Sequence, residues 1–370
     1  MKHKILFNGL LYAPDGTGIS RYTEYLVKEY LSAGFPIDIL LRDDYKNQYQ
    51  QYDNIIFADG EIHNGGQRII TEQWKLRKLY RQYDLVHFPD YATPVLTRTP
   101  AIATIHDMAM KTMQRQYTWK QNAVKNTLLQ HTVREACGVV CDSQFSQEEL
   151  RNYYPALAAK SKVIHLGVET PCLQPDNETL LKKWKLEPQR YFLYVGTLAP
   201  HKNLVCLIQA FALLRQWGYS GKLVIAGGKG WMYDEIFAEA VRQNLQGKVV
   251  FTGYVSAEEL ESLYGQAYCF ISMSLYEGFG LPPLEAMVRG VPVIVSDIPV
   301  FHETVDCCGL YADPRNAEEV AKQMWSILYT DGLRQKLALA GKERARQFSW
   351  RRTAQETWQY YQTVLGGRPI

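Results

Sequence analysis

Glu277 and Glu285 flank a Gly278-Phe-Gly280 turn in the run Ser274-Leu-Tyr-Glu-Gly-Phe-Gly-Leu-Pro-Pro-Leu-Glu285. Proline is tolerated in the first turn of a helix, where the N–H groups have no intrahelical acceptor. The run therefore predicts a strand over 268–273, a glycine turn, and a helix over 282–289. Backbone N–H groups of Phe279, Gly280 and Leu281, backed by the positive end of that helix, suit an anion such as a diphosphate. Carboxylates beside a phosphate repel it unless they bond hydroxyls instead, and the hydroxyls of a sugar and a ribose are such partners. Taken alone, Glu277 and Glu285 would also serve as a solvated loop carboxylate and a helix-dipole partner.

Other positions offer matching chemistry. Gly196 ends the apolar run Tyr191–Val195 and leads through Thr197-Leu-Ala-Pro to His201-Lys202-Asn203. Lys202, a compact cation near a helix start, is a point-charge partner for a diphosphate. Gly253-Tyr254-Val255 follows another apolar run and precedes Ser256, an N-cap with Glu259 at the capping-box position. Gly227-Gly-Lys-Gly230 is a strand-to-helix turn without the P-loop pattern. Near the amino end, Asp15-Gly16-Thr17-Gly18 opens an amphipathic helix, and its glycines allow close backbone approach. His106 and Asp107 follow the apolar run Ile102–Ile105, at a strand's carboxyl end where functional groups gather.

The elements that must position these groups alternate strand and helix almost throughout, the pattern of parallel sheets covered by helices. Predicted strands in the first half are 4–8, 37–41, 85–88, 101–105, 139–141 and 163–166, with helices over 19–32, 67–81, 119–136 and 146–153. The polar, tyrosine-rich segment 43–66 reads as loop, and 170–178 as an interdomain link. The second half restarts with strands at 191–195, 223–226, 249–252, 269–272, 293–295 and 310–312. From Ala317 onward the chain reads as helical, with Gly341 dividing two helices and Ser349 capping a last one over 351–364. Two doubly wound halves would place ligands at the carboxyl ends of their strands.

At 370 residues, 46% hydrophobic and 21% charged, the chain has the size and composition of a soluble two-domain protein. No run of about 18 apolar residues offers a transmembrane helix. The apolar start breaks at Asn8-Gly9, which reads as a first strand and turn rather than a signal peptide. Seven scattered cysteines without a C-x-x-C pair predict reduced thiols and a cytoplasmic protein. A net charge of +3 and the absence of DNA-binding motifs speak against nucleic acid. Two basic segments, 68–81 with Arg68, Lys75, Arg77, Lys78 and Arg81, and 111–134 with Lys111, Arg115, Lys120, Lys125 and Arg134, enclose few or no acids. They read either as solvated helix faces or as contacts with an anionic membrane surface, with Tyr117 and Trp119 inside the second.

The Glu277–Glu285 window resembles the E-x7-E element of the retaining glycosyltransferases of family 4. The first strand with its glycine loop, Thr104-Ile-His-Asp107, and Tyr194–Asn203 resemble further elements of that family, in the family's order, so that the likeness covers nearly the whole chain. The resemblance implies an α/β protein of GT-B architecture: two Rossmann-like doubly wound domains facing across a cleft, with a C-terminal helix crossing back to the first. Residues 1–170 with 351–370 would bind the acceptor, and 171–350 the donor.

It further implies transfer of a sugar from a nucleoside diphosphate, with retention of configuration and without metal or cofactor. His106 and Asp107 would act at the donor sugar with Glu277, and Glu285 would hold the ribose. Gly16, Gly18, Gly196, Thr197, Lys202, Gly253, Val255, Phe279, Gly280 and Leu281 would complete the donor site, the backbone at Val255 taking the base. In the family, the residue after the first glycine is often an arginine on the pyrophosphate. Thr197 stands there, with His201 as a compensating cation, and similar variants occur among relatives that add mannose or deoxysugars. GDP-mannose is the first donor expectation and dTDP-rhamnose or a UDP-sugar the second. The acceptor would be a glycan or lipid-linked glycan of cell-surface polysaccharide or lipopolysaccharide synthesis, reached from the inner face of the plasma membrane. A nucleotide-sugar epimerase, a phosphorylase or a non-catalytic nucleotide-sugar-binding subunit are the alternatives on the same fold.

Overall fold

The computed structural model describes residues 3–13, 16, 18–60, 62, 65–95, 98–113, 119–171 and 176–366. Two compact units make up the chain, Met1–Gly167 with Trp350–Ile370, and Val168–Ser349.

The first unit is built on strands β1 (Ile5–Asn8), β2 (Asp38–Arg42), β3 (Ile55–Ala58), β4 (Leu85–Phe88), β5 (Ala101–Ile105), β6 (Gly138–Cys141) and β7 (Ser161–Val163). They form one parallel sheet in the order β3-β2-β1-β4-β5-β6-β7. The central strands are mostly apolar and buried along their whole length, with Asn8, His87 and Thr104 as their polar members, as a parallel sheet covered by helices requires. The second unit holds β8 (Tyr191–Val195), β9 (Lys222–Ala226), β10 (Val249–Gly253), β11 (Cys269–Ser272), β12 (Val293–Ser296) and β13 (Leu310–Ala312). Its parallel order is β10-β9-β8-β11-β12-β13. In each sheet the winding reverses once, between β1 and β4 and between β8 and β11. Such switch points are where open α/β sheets leave a crevice at the strands' carboxyl ends.

The last helix, Trp350–Gly366, belongs to the first unit. Trp350 stacks on Tyr25 at 4.8 Å, Tyr361 bonds Tyr30 at 3.1 Å, and Thr353 Oγ1 donates to the His165 carbonyl at 2.8 Å.

Five local expectations change. Segment 43–66 is not only loop: it holds a short helix, Lys46–Tyr49, and edge strand β3. Tyr45 and Tyr49 pack edge-on against the buried Tyr12, whose hydroxyl bonds that of Tyr49 at 2.7 Å, and the four-residue strand pairs in parallel with β2. The helix expected over 67–81 is interrupted by a π turn at Thr71–Lys75. Glu72 within it is buried, taking hydrogen bonds from Asn8 at 2.8 Å and Arg68 at 3.3 Å. Arg68 also pairs with buried Asp90 at 2.6 Å, so this cation faces the core and is no part of a solvated or membrane-facing surface.

Gly341 lies inside the helix Leu333–Ala345 rather than between two helices. A Cβ there would meet the Met287 side chain at 3.2 Å, so the glycine allows close approach to the helix Leu281–Val288. The strand expected over 163–166 ends at Val163. Arg115 and Tyr117, and the side chains of Trp119, Lys120 and Lys125, lie outside the described residues, as do Asp15, Thr17 and residues 172–175 of the expected link. The described cysteines carry no disulfide, and no helix among the described residues is long and apolar enough to cross a membrane.

Candidate active site

The carboxyl end of β8 is shaped by two glycines. Gly196 and Gly227 have φ of 153° and 148°, and a Cβ on Gly227 would lie 2.0 Å from the Gly196 carbonyl oxygen. Only glycine lets the two strand ends come this close. Thr197 follows, and the turn Pro200–Lys202 is closed by Asn203 in the left-handed region, its side chain donating to the Pro314 carbonyl at 2.6 Å. That turn is tied across the switch point: the Leu275 N–H donates to the His201 carbonyl at 2.8 Å.

Lys202 is thereby aimed at the loop after β11. Its Nζ lies 2.6 Å from Glu277 Oε1, which also accepts from Ser274 Oγ at 2.7 Å. Both side chains are mostly buried, 18% and 16% exposed, so the pair is only weakly screened. Burial pushes the Glu277 carboxyl up, but Lys202 overrides it and holds the group below its usual range. Gly280 follows with φ 88°, where a Cβ would strike Phe301 at 2.5 Å, and Leu281–Val288 begins with Pro282 and Pro283 in its first turn. The side chain of Phe279 is buried edge-on against Phe348 at 5.8 Å.

Glu285 is placed differently. It is 5% exposed and accepts from the Tyr264 hydroxyl at 2.8 Å. Arg289, ion-paired with Glu261 at 2.6 Å, lies over the Tyr264 ring and donates to the Glu285 carbonyl. Gly253, with φ 72°, and Val255 stand at the end of β10, and the Gly253 carbonyl accepts from Gly227 N–H at 3.0 Å. The Ser256–Glu259 capping box then starts the next helix.

His201 does not supply the charge that Thr197 lacks. Burial and adjacent Lys202 push it down to about 4 despite Glu277, so near neutrality the ring is uncharged, stacked on Trp231 at 5.5 Å. The second unit therefore brings together Gly196, Thr197, Lys202, Glu277 and Gly280. Ser274 and Trp231 join them unforeseen, although Ser274 stands only three residues before Glu277.

In the first unit, His106 and Asp107 stand just past β5. His106 Nδ1 faces Asp142 Oδ2 at 2.6 Å and Nε2 faces the Pro89 carbonyl at 2.8 Å. Burial pushes the imidazole down, but Asp142 overrides it and raises the ring to about 9. Asp107 accepts from the Ala109 N–H at 2.9 Å, bracing the turn that follows. Asp142 also went unforeseen, although it follows the apolar end of β6 as His106 follows β5. Gly16 and Gly18 precede the helix Ile19–Ser32. Gly16 N–H donates to Ala13 at 2.9 Å, a Cβ on it would strike Ser20, and Gly18 has φ 54° with open space beside it. Among the described residues, no three His, Cys, Asp or Glu side chains converge to hold a metal.

Comparison with known proteins places this geometry. Residues 16–171 match the family model "Glycosyltransferase Family 4", and residues 176–344 match "Glycosyl transferases group 1". The chain is 31% identical over 297 residues to O-antigen chain mannosyltransferase B of Escherichia coli, covering 79% of this chain and 77% of that one. It is 35% identical over 187 residues to O-antigen chain mannosyltransferase RfbU of Salmonella typhimurium, half of each chain. In fold it is similar to sucrose-phosphate synthase from Thermosynechococcus elongatus, with a TM-score of 0.78 at 21% identity over 99% of this chain and 100% of that one. Two parallel-sheet Rossmann-like units, the matched models and the relatives together show that the chain belongs to glycosyltransferase family 4, with the GT-B fold.

Proposed function

We propose that the protein transfers mannose from GDP-mannose to a hydroxyl of a glycan or lipid-linked acceptor, with retention of configuration, in cell-surface polysaccharide synthesis. The observation that carries this reading is the Lys202–Glu277 pair, 2.6 Å apart at the β8/β11 switch point and next to the Gly280 turn. Breaking the bond from the sugar's anomeric carbon leaves negative charge on the β-phosphate. Lys202 and the N–H groups at Phe279, Gly280 and Leu281 are oriented in advance to meet it, which avoids reorganisation during the reaction.

A diphosphate on Lys202 competes with Glu277 for its charge and turns that carboxylate toward the sugar's hydroxyls. Glu285 takes the ribose by exchanging its bond with Tyr264, and the backbone of Gly253–Val255 takes the base. His106, with Asp107 bracing its loop and the Gly16–Gly18 loop nearby in sequence to the first switch point, acts at the transferring sugar. The departing phosphate accepts the acceptor's proton on the same face, so no side-chain nucleophile and no metal is invoked. The mannosyltransferase names of both relatives support the sugar. Thr197 in place of the arginine fits relatives that add mannose or deoxysugars alike and does not separate the two, and dTDP-rhamnose or a UDP-sugar ranks second.

The test supplies GDP-mannose with and without a lipid-linked glycan acceptor and follows GDP release and the product's anomeric coupling by NMR. Acceptor-dependent transfer with retained configuration, unchanged by EDTA, is expected. Alteration of the sugar without acceptor would mark an epimerase, and unchanged turnover in Glu277→Ala and His106→Ala would refute the site.

We also propose a peripheral contact with the inner face of the membrane. Ile70 and Trp74 are 60% and 68% exposed, beside the exposed Lys75, Lys78 and Arg81. Apolar side chains flanked by cations suit an anionic lipid surface. Trp74→Ala should weaken flotation with phosphatidylglycerol vesicles at low salt, and equal flotation with neutral vesicles would count against the contact.

A further inference from the structure

We infer that Asp142 is a positioning residue that holds His106 as an imidazolium, so that the ring offers its ligand N–H donors and no lone pair. The inference rests on the assignment of His106 to the transferring sugar, and it adds the charge state in which the ring works. Strands β5 and β6 pair in register, Ile105 opposite Cys141, so His106 and Asp142 each stand one residue past a matched pair. That register brings Asp142 Oδ2 to 2.6 Å from Nδ1, while the Pro89 carbonyl lies 2.8 Å from Nε2. A carbonyl oxygen only accepts, and a carboxylate only accepts, so two such partners call for a proton on each ring nitrogen.

The carboxylate needs the ring as much as the ring needs it. Asp142 is 2% exposed, and its Oδ1 is buried without a hydrogen-bond partner. A buried charge with one half unmet is costly unless its counter-ion is close, and the His106 ring is the cation beside it. The backbone is braced at the same point. Ser146 Oγ donates to the His106 carbonyl at 3.0 Å, and Ser143 caps the helix that follows Asp142.

The other titratable neighbours agree. Asp107, next in the chain, adds a second negative charge. His87 on β4 is pushed down to about 3 by burial and by His106, and is neutral. Tyr22, edge-on to His106 at 4.9 Å, is raised by burial and also stays neutral. An imidazolium cannot accept from a hydroxyl. A sugar oxygen meeting His106 must therefore accept from Nε2 in exchange for the Pro89 carbonyl, and it keeps its own proton for another partner.

The competing arrangement places the proton on Asp142 and leaves Nδ1 bare, with the same heavy-atom distances. Long-range proton–nitrogen correlation spectra of the full-length protein labelled with nitrogen-15 histidine separate the two. In the wild type both His106 nitrogens should show protonated-type shifts at pH 7.5 and titrate near 9. Asp142→Asn should lower that titration by about two units or more, and move the basic limb of the kcat/KM profile down with it. A bare Nδ1 in the wild type at pH 7.5, which needs no variant to detect, would overturn the inference. So would an unshifted His106 titration in a folded Asp142→Asn protein. Full turnover by His106→Ala would instead overturn the sugar assignment, and the spectra decide the charge state independently of it.

Discussion

Two histidines follow strand ends in the two units, and the protein holds them in opposite charge states. His106 past β5 and His201 past β8 are both buried enough to lose hydration, and burial alone would make both neutral. Their neighbours decide the outcome. Asp142 at 2.6 Å raises His106 to about 9, whereas Lys202 helps press His201 to about 4. A residue type read from sequence does not carry a charge until its nearest ionised partner is known.

The largest expected effect separates sugar from nucleotide in the second unit. Glu277→Ala should lower turnover on the order of a hundredfold, as loss of one preorganised group does, while leaving GDP affinity equal or higher because Lys202 is released. A Glu277→Ala protein that loses GDP affinity instead would show that the carboxylate serves mainly to position the lysine.

Next come opposite pH dependences of stability. The raised His106 contributes stability that is full below its unfolded value of about 6.5 and is lost as pH rises through about 9. The lowered His201 works the other way: its contribution is full above about 6.5 and is lost as pH falls through about 4. Each is worth about 3 kcal/mol at most, at about 1.4 kcal/mol for each pH unit between the folded and unfolded values. Chemical denaturation across pH should show Asp142→Asn flattening the alkaline loss and His201→Gln the acid one. If the two variants share one pH profile, the comparison fails.

Smaller effects concern the glycines and Thr197. Gly280→Ala imposes φ 88° on an L-residue and a 2.5 Å contact with Phe301, so a loss of about 2 kcal/mol is expected in urea melts. Gly341→Ala meets only the flexible Met287 side chain, at 3.2 Å, and should cost about 1 kcal/mol or less. Thr197→Arg adds a cation that His201 does not provide and should tighten GDP binding severalfold by calorimetry.

Much of this was legible in the sequence because the signals are local. Apolar runs gave most strands within a residue or two, and Pro282-Pro283 after Gly280 announced the helix at Leu281. What was hidden depends on distant partners. The Lys202–Glu277 contact spans 75 residues, and the Arg68 pairing with Asp90 turns an apparent surface base inward. Gly341 read as a breaker because its neighbour Met287 is invisible from its own helix. Edge strand β3 is only four residues long, and it is held by pairing with β2, a partner that its own periodicity does not report. Asp142 stood in plain sight after β6, but its meaning came from register with β5.

The central claim is that the β8/β11 switch point holds the donor's diphosphate through Lys202. Titration calorimetry of GDP into the wild type and Lys202→Ala tests it most directly. The account predicts that GDP binds the wild type and that Lys202→Ala weakens it by about tenfold or more, the scale of one charge-assisted contact. Equal GDP affinity in the two proteins would contradict it.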